Sequence, residues 1–177
     1  MVSDARSWPR GRQARPGVQF DANLLQPRSR GRVRLAPADP LTRPIIDPGF
    51  LANPGDLGDV LEALEQIREI AAQRPLAKAL DGETFPGLSL RGIALIESVR
   101  NRVTTGHHPV ATCRMGPDHE LSSVLDSALR VRGVERLRVA NASSFPGQIR
   151  GNPNATVIML AEKAPDLILG RGPPEWA

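Results

Sequence analysis

The sequence predicts an α+β fold, in which helices and short strands occupy separate stretches of the chain. Three patterns support this prediction. Residues 53–74 repeat apolar side chains at helical spacing, residues 31–36 alternate apolar and arginine side chains as a half-buried strand does, and residues 121–146 contain short apolar runs separated by turn residues. With 177 residues, 40% of them hydrophobic, the chain is long enough for about one domain with a core.

Composition excludes several classes of protein. No apolar run approaches the ~20 residues of a membrane span, and no apolar stretch follows the basic N-terminus as in a signal peptide. The single cysteine, Cys113, excludes an intrachain disulfide. We therefore expect a cytoplasmic protein with no transmembrane segment. The net charge of +4 would allow nucleic-acid binding, but aromatic residues are only 3% of the chain, so we expect no nucleic-acid partner.

The N-terminal third alternates between irregular and extended segments. Residues 1–16 carry four arginines without periodicity and are predicted to be a disordered or non-native start. Residues 17–35 are predicted to form two extended pieces around a turn at 27–31, compatible with a hairpin. Residues 36–52 contain four prolines and are predicted to be an ordered loop at best.

The clearest helix is predicted over residues 53–74. Asn53 suits the N-cap, Pro54 suits the first helical position, and Asp56 complements the helix dipole in the first turn. An apolar face runs along one side, and Pro75 ends the pattern.

The remainder of the chain is predicted to contain two further helices and several strands. Residues 75–92 are irregular, a helix is expected over 92–104, and short strands are expected within 121–146. A last helix is expected over 151–169. It is apolar almost all round and so should be buried, with a kink or an end at Pro165.

Two segments contain residues suited to chemistry. His107 and His108 precede Pro109, which favours an extended or turn conformation at His108, where an imidazole can act as an acid or base or lie unused at the surface. Asn152 and Pro153 suit the N-terminus of the last helix. Its free N–H groups could bind an anion or the electron-rich edge of a ring, or simply be capped. The three histidines and Cys113 match no zinc-ligand spacing, so no metal site is predicted.

Three blocks of sequence, in order, carry a family resemblance. The blocks HHPVATCRMG (107–116), SSVLDSALRVRGVERLRVANASSFP (122–146) and GNPNATVIMLAEKAPDLIL (151–169) closely resemble the C-terminal end of the glucose–methanol–choline (GMC) oxidoreductases. These are flavin enzymes such as choline dehydrogenase. Upstream, the segment 24–57 also resembles the family's run into its substrate domain. The resemblance covers about residues 17–170.

The resemblance implies a cofactor, a reaction and roles for particular residues. It implies FAD as cofactor and a small-molecule primary alcohol as substrate, with hydride transfer from the alcohol to the flavin. His108 would be the base and Asn152 would assist by hydrogen-bonding the alcohol oxygen. The cofactor would be lined by a second group of residues: Asn141, Ala142, Pro153, Asn154 and Ala155.

The resemblance also implies a domain arrangement. Residues 17–135 would form part of a substrate domain with an antiparallel sheet and helices. Residues 136–177 would form the C-terminal return segment of the FAD-binding α/β domain. The G-x-G-x-x-G turn that grips the FAD pyrophosphate in that domain is not in this sequence. We therefore expect the chain to be incomplete alone, with the N-terminal FAD-binding part as a candidate partner. The alternative is a non-catalytic remnant or interaction module of the same family.

Three positions depart from the family pattern. Ala111 stands where the family usually has glycine, Asn141 stands where aspartate is common, and Pro165 stands where alanine is more usual. An amide at position 141 keeps the hydrogen-bonding capacity of a carboxylate but not its charge.

Overall fold

The computed structural model describes residues 17–37, 39 and 41–172, so the predicted disordered start at 1–16 lies outside the described residues. The chain mixes helices with a small sheet, which confirms the coarse fold class. The described residues divide into two compact units: the first contains residues 57–102, and the second contains residues 25–56 and the chain from 103. The elements are β1 (Arg32–Arg34), β2 (Ile45–Asp47), α1 (Pro54–Ala71), α2 (Leu76–Ala79), α3 (Gly92–Arg100), a 3₁₀ turn (Ala142–Ser144) and α4 (Asn154–Leu169).

Helix α1 begins where its sequence predicts. The Asn53 side-chain carbonyl accepts a hydrogen bond from the Gly55 N–H at 2.9 Å. The buried Asp56 carboxylate accepts the Arg28 and Ser29 N–H groups at 2.9 and 2.7 Å, which ties the first turn to the preceding loop. The helix ends at Ala71, three residues before the predicted end at 74.

The first unit is held together by a charged cluster and differs from prediction in two places. Arg68 donates two hydrogen bonds, at 2.8 and 3.0 Å, to the Glu83 carboxylate, which also accepts the Gly87 N–H. These bonds from Arg68 lower the pKa of Glu83 although burial opposes them. The short helix α2 forms within the segment predicted to be irregular. Helix α3 ends at Arg100 rather than at 104.

The sheet is a two-stranded antiparallel pair with a partner that was not predicted. Strand β1 pairs with β2 in the register Arg32↔Asp47, so the predicted hairpin within 17–35 is wrong. The prediction of loop throughout 36–52 is also wrong at β2. The β-branched Ile45 and Ile46 fit between Pro44 and Pro48, and neither proline has to donate to the ladder.

Much of the core of the second unit is formed by side chains of the segment 111–145. Leu125 is fully buried, and Leu129 and Phe145 are almost so, at 1% and 4% exposure. The strands predicted within 121–146 are realised only as isolated bridges, Met115↔Leu125, Leu125↔Val131 and Arg130↔Arg138. Turns interrupt every apolar run of this segment, so none of these bridges extends into a longer ladder of paired residues.

Helix α4 overturns two predictions. It continues past Pro165 to Leu169 and ends at Gly170, which adopts a left-handed φ of 66°. Proline removes one backbone donor, and the turns on both sides keep the helix together. Ala164 is its only buried residue, so the expected burial is wrong for this chain. Large side chains lie more than half exposed: Ile158, Met159, Ile168 and Leu169. Among the described residues, no helix is long and apolar enough to cross a membrane.

Candidate functional site

The loop that carries the histidines adopts an unusual backbone. His107 and Ala111 have φ angles of 61° and 67°, in the left-handed region that non-glycine residues rarely occupy. The His107 N–H donates to the Thr105 hydroxyl oxygen at 2.9 Å. His108, between them, is half-buried, while His107 is exposed. The positive φ at Ala111 gives a physical reason for the glycine that the family prefers there.

Backbone hydrogen bonds join this loop to the 3₁₀ turn. Three alternate N–H groups of the histidine segment donate to three successive carbonyls of the turn. The pairs are Ala111 to Ala142 at 3.2 Å, Cys113 to Ser143 at 2.9 Å and Met115 to Ser144 at 2.9 Å. Two of the blocks singled out in the sequence are therefore in direct contact within the second unit.

Asn141 caps the 3₁₀ turn with its own side chain. The Asn141 Oδ1 atom accepts the Ser143 N–H at 2.9 Å and also the Ser143 hydroxyl. The fully buried Ser144 donates its hydroxyl to the Asn141 carbonyl at 2.6 Å. Sequence reasoning missed both serines. The Asn-x-Ser pattern, typical of an Asx turn, was the available signal.

The start of α4 presents unused donors. Pro153, rather than Asn152, stands at the N-cap, with no side-chain cap hydrogen bond, so the predicted cap by Asn152 is wrong. The Val157 N–H makes the first helical bond, to the Pro153 carbonyl at 2.8 Å. The N–H groups before it, at Asn154, Ala155 and Thr156, therefore have no acceptor within the helix.

The side chains at this helix start are mostly accessible. Asn152, Asn154 and Ala155 are exposed and Pro153 is buried. The first turn carries no acidic residue, so the partial positive charge of the helix end is not neutralised from within. Open N–H groups beside two exposed amides fit the electron-rich edge of a flavin ring, which gains negative charge on reduction.

The structure brings some predicted residues together but not others. His108 is linked through Ala111 to Ala142, beside Asn141. No hydrogen bond joins His108 to Asn152 within the described residues. A cavity of about 470 Å³ lies elsewhere, along residues 130–138, and none of the predicted site residues lines it. We take the His108 loop and the 3₁₀ turn as the core of the candidate site because hydrogen bonds join these two segments, and we treat the open start of α4 as a separate candidate element.

A carboxylate beside that cavity has a structural role. Asp126 accepts the Ala128 and Arg130 N–H groups, both at 2.9 Å, and pairs with the Arg130 guanidinium at 2.8 Å. Burial raises the pKa of Asp126, but these hydrogen bonds outweigh it and leave the pKa below its ordinary value. A carboxylate so engaged is a weak base and holds the turn at 126–130 together.

Comparisons with known proteins give a consistent result. A family model described as GMC oxidoreductase matches residues 27–161. The chain is similar to an alcohol dehydrogenase (acceptor) of Pseudomonas putida, at 37% identity, and to an oxygen-dependent choline dehydrogenase of Vibrio vulnificus (strain YJ016), at 39% identity. These alignments cover 90% and 89% of this chain but 29% and 28% of the relatives.

The structural comparison agrees. Pyridoxine 4-oxidase from Mesorbium loti matches with a TM-score of 0.75 and 32% identity, over 84% of this chain and 29% of that one. The chain thus spans less than a third of the length of these relatives. The family match includes the histidine loop, the 3₁₀ turn and the start of α4. By this match, the chain belongs to the GMC oxidoreductase family.

Proposed function

We propose that this chain supplies the catalytic wall of an FAD-dependent alcohol oxidoreductase. The observation that carries the proposal is the hydrogen-bonded pairing of residues 111–115 with the 3₁₀ turn. This pairing puts the His108 loop against Asn141 and Ala142, two of the residues expected to line the cofactor. The names of the relatives, which include alcohol and choline dehydrogenases, support a small alcohol as the substrate class.

In this proposal His108 accepts the proton of the substrate hydroxyl. An alcohol donates hydride poorly until its O–H bond is at least partly broken, and neutral imidazole can take that proton near neutral pH. The side-chain N–H of Asn152 donates a hydrogen bond to the alcohol oxygen and stabilises the negative charge that develops on this oxygen. Asn152 is exposed and so is accessible to a ligand.

The residues that would hold FAD lie in two segments. Asn141 and Ala142 line one side, and Pro153, Asn154 and Ala155 present the open start of α4 to the ring. Bound FAD would supply the acceptor for the hydride of the alcohol. The start of α4 would favour negative charge on the reduced ring, since its N–H groups carry a partial positive charge.

The rest of the cofactor site is proposed to lie on a separate FAD-binding segment that packs against α4. The exposed apolar side chains of α4 support this arrangement, because a packed segment would remove these large side chains from water. Residues 17–135 would then belong to the substrate domain and residues 136–177 to the FAD-binding domain.

The test uses complementation. The 177-residue chain is mixed with FAD, alone and together with the N-terminal part of the Pseudomonas putida relative that lies outside the match. After free FAD is removed, the visible flavin spectrum is recorded before and after an alcohol is added. We expect weak or no retention by the chain alone, and retention with alcohol-dependent bleaching in the mixture.

A matched pair of variants identifies the base. His108→Ala should slow bleaching by about 10²–10⁴-fold, the usual contribution of a general base, while the exposed His119→Ala should not. Equal rates in both variants would exclude His108 as the base. A colourless mixture would favour the alternative, a non-catalytic interaction module.

A further inference from the structure

We propose that Asn141 is a positioning residue for His108, acting through the 3₁₀ turn in addition to lining the cofactor. The inference rests on the proposed function of His108. It deepens that function by identifying what holds the base in place. The contact runs from the Asn141 side chain to the turn, from the turn to Ala111, and along three residues of backbone to His108.

The 3₁₀ turn depends on Asn141. The turn has only three residues, and a 3₁₀ segment of that length is weak without outside support. Asn141 Oδ1 accepts both the N–H and the hydroxyl of Ser143, and the Asn141 carbonyl accepts the Ser144 hydroxyl. Asn141 therefore accepts the side-chain hydrogen bonds of both serines of the turn.

The histidine loop depends on the 3₁₀ turn. The left-handed conformations at His107 and Ala111 each cost free energy and persist only where neighbouring structure imposes them. The bond from the Ala111 N–H to the Ala142 carbonyl is a restraint of this kind, located at the strained residue itself. Loosening the turn would release the backbone on the C-terminal side of His108.

Position 141 requires a side chain that accepts hydrogen bonds. Both contacts of the Asn141 side chain use its oxygen as an acceptor, so a carboxylate would serve equally. This explains how asparagine can stand where aspartate is common. It also supplies a conservative variant, Asn141→Asp, to set against Asn141→Ala.

The experiment measures amide exchange and the His108 ring signals by NMR in the chain itself. We expect Asn141→Ala to speed exchange of the Ala111 and Cys113 N–H groups about five-fold, the order for one lost hydrogen bond, and to shift the His108 ring signals. In Asn141→Asp the two exchange rates should stay within two-fold of wild type. The His108 ring signals should stay close to their wild-type positions. Asn53→Ala is the control, because Asn53 also accepts an N–H two residues onward, in another loop of the same unit. Exchange rates in every variant are compared after correction for that variant's change in the free energy of unfolding, so that only local loosening is counted.

The outcomes are decisive in both directions. Unchanged exchange at Ala111 in Asn141→Ala, or an equal increase in Asn53→Ala, would overturn the proposal. Failure of Asn141→Asp to restore the wild-type values would also overturn it. Because neither readout uses flavin or alcohol, these results are separate from failure of the proposed oxidation.

Discussion

The same Asn-Pro dipeptide stands at the start of two helices, but one residue apart in register. Pro54 is the first residue of α1 and follows Asn53, whereas Pro153 is the N-cap of α4, so Asn152 lies one residue outside that helix. At α1 the asparagine side chain caps Gly55, and the buried Asp56 provides a negative charge in the first turn. At α4 no side chain caps the helix and no acid occupies the first turn.

The presence or absence of a cap and an acidic residue distinguishes a helix start with a structural role from one that could bind a ligand. The donors and positive charge of a helix N-terminus must be satisfied by something, whether side chain, water or ligand. α1 satisfies them from within and uses Asp56 to fasten residues 28 and 29. α4 leaves them open beside exposed amides, which is what binding an electron-rich ring requires.

The largest effect is expected at the closed start. Asp56→Asn would replace one of the two acceptor oxygens with an NH₂ group that faces either the Arg28 or the Ser29 N–H, in a side chain that is 1% exposed. We expect a loss of about 1–3 kcal/mol in the free energy of unfolding, measured by urea denaturation. The exposed Asp81→Asn should change it by less than about 0.5 kcal/mol. Equal losses would contradict a special role for Asp56.

The same carboxylate predicts an acid-dependent loss of stability. Burial alone would raise the pKa of Asp56, but hydrogen bonds from Ser29 and Arg28 leave it below the ordinary value of 3.8. Its contribution is therefore complete above that ordinary value and is lost as pH falls through the lower folded pKa. In unfolding measurements at decreasing pH, the gap between wild type and Asp56→Asn should narrow. A gap that widens would refute this sign.

The two asparagines offer a direct comparison of the helix starts. Asn53→Ala should destabilise the chain by about 1 kcal/mol, as loss of a cap usually does. Asn152→Ala should change stability by less than about 0.5 kcal/mol, since Asn152 makes no cap. Thermal unfolding of both variants checks this. Similar losses in the two would mean that the α4 start is capped after all.

The smallest effect is a gain. Asn154→Asp places a negative charge in the first turn of α4 and should stabilise the chain by about 0.3–1 kcal/mol at low salt. The gain should shrink at high salt, because exposed charges are screened. Asn154→Ala, measured alongside in urea, shows whether the charge rather than loss of the amide is responsible.

Local signals in the sequence predicted the start of α1 better than they predicted the packing of the chain. Asn53, Pro54 and Asp56 act within one turn of chain, so their roles follow from position alone. The partner of β1 did not follow, because β2 is separated from it by ten residues of proline-rich sequence. The burial of α4 was expected from its apolar composition. Composition indicates that a helix needs a packing partner, but not whether this chain provides that partner.

The candidate site was predictable in its residues more than in its geometry. The family resemblance pointed to His108, Asn141 and Asn152. It could not reveal that Ala111 is left-handed or that Asn141 caps a turn, because φ angles and Asx turns depend on the folded loop. The family's glycine preference at position 111 and the Asn-x-Ser pattern at 141–143 were the available signs of that geometry.

The affinity for FAD shows whether the open start of α4 faces the flavin, as we propose. The dissociation constant of FAD is measured in the complemented protein for wild type, Asn154→Asp and Asn154→Ala. We predict that Asn154→Asp weakens FAD binding by at least about 2- to 5-fold relative to Asn154→Ala, the equivalent of 0.3–1 kcal/mol, even as it stabilises the fold. Equal affinity in these two variants would contradict the claim.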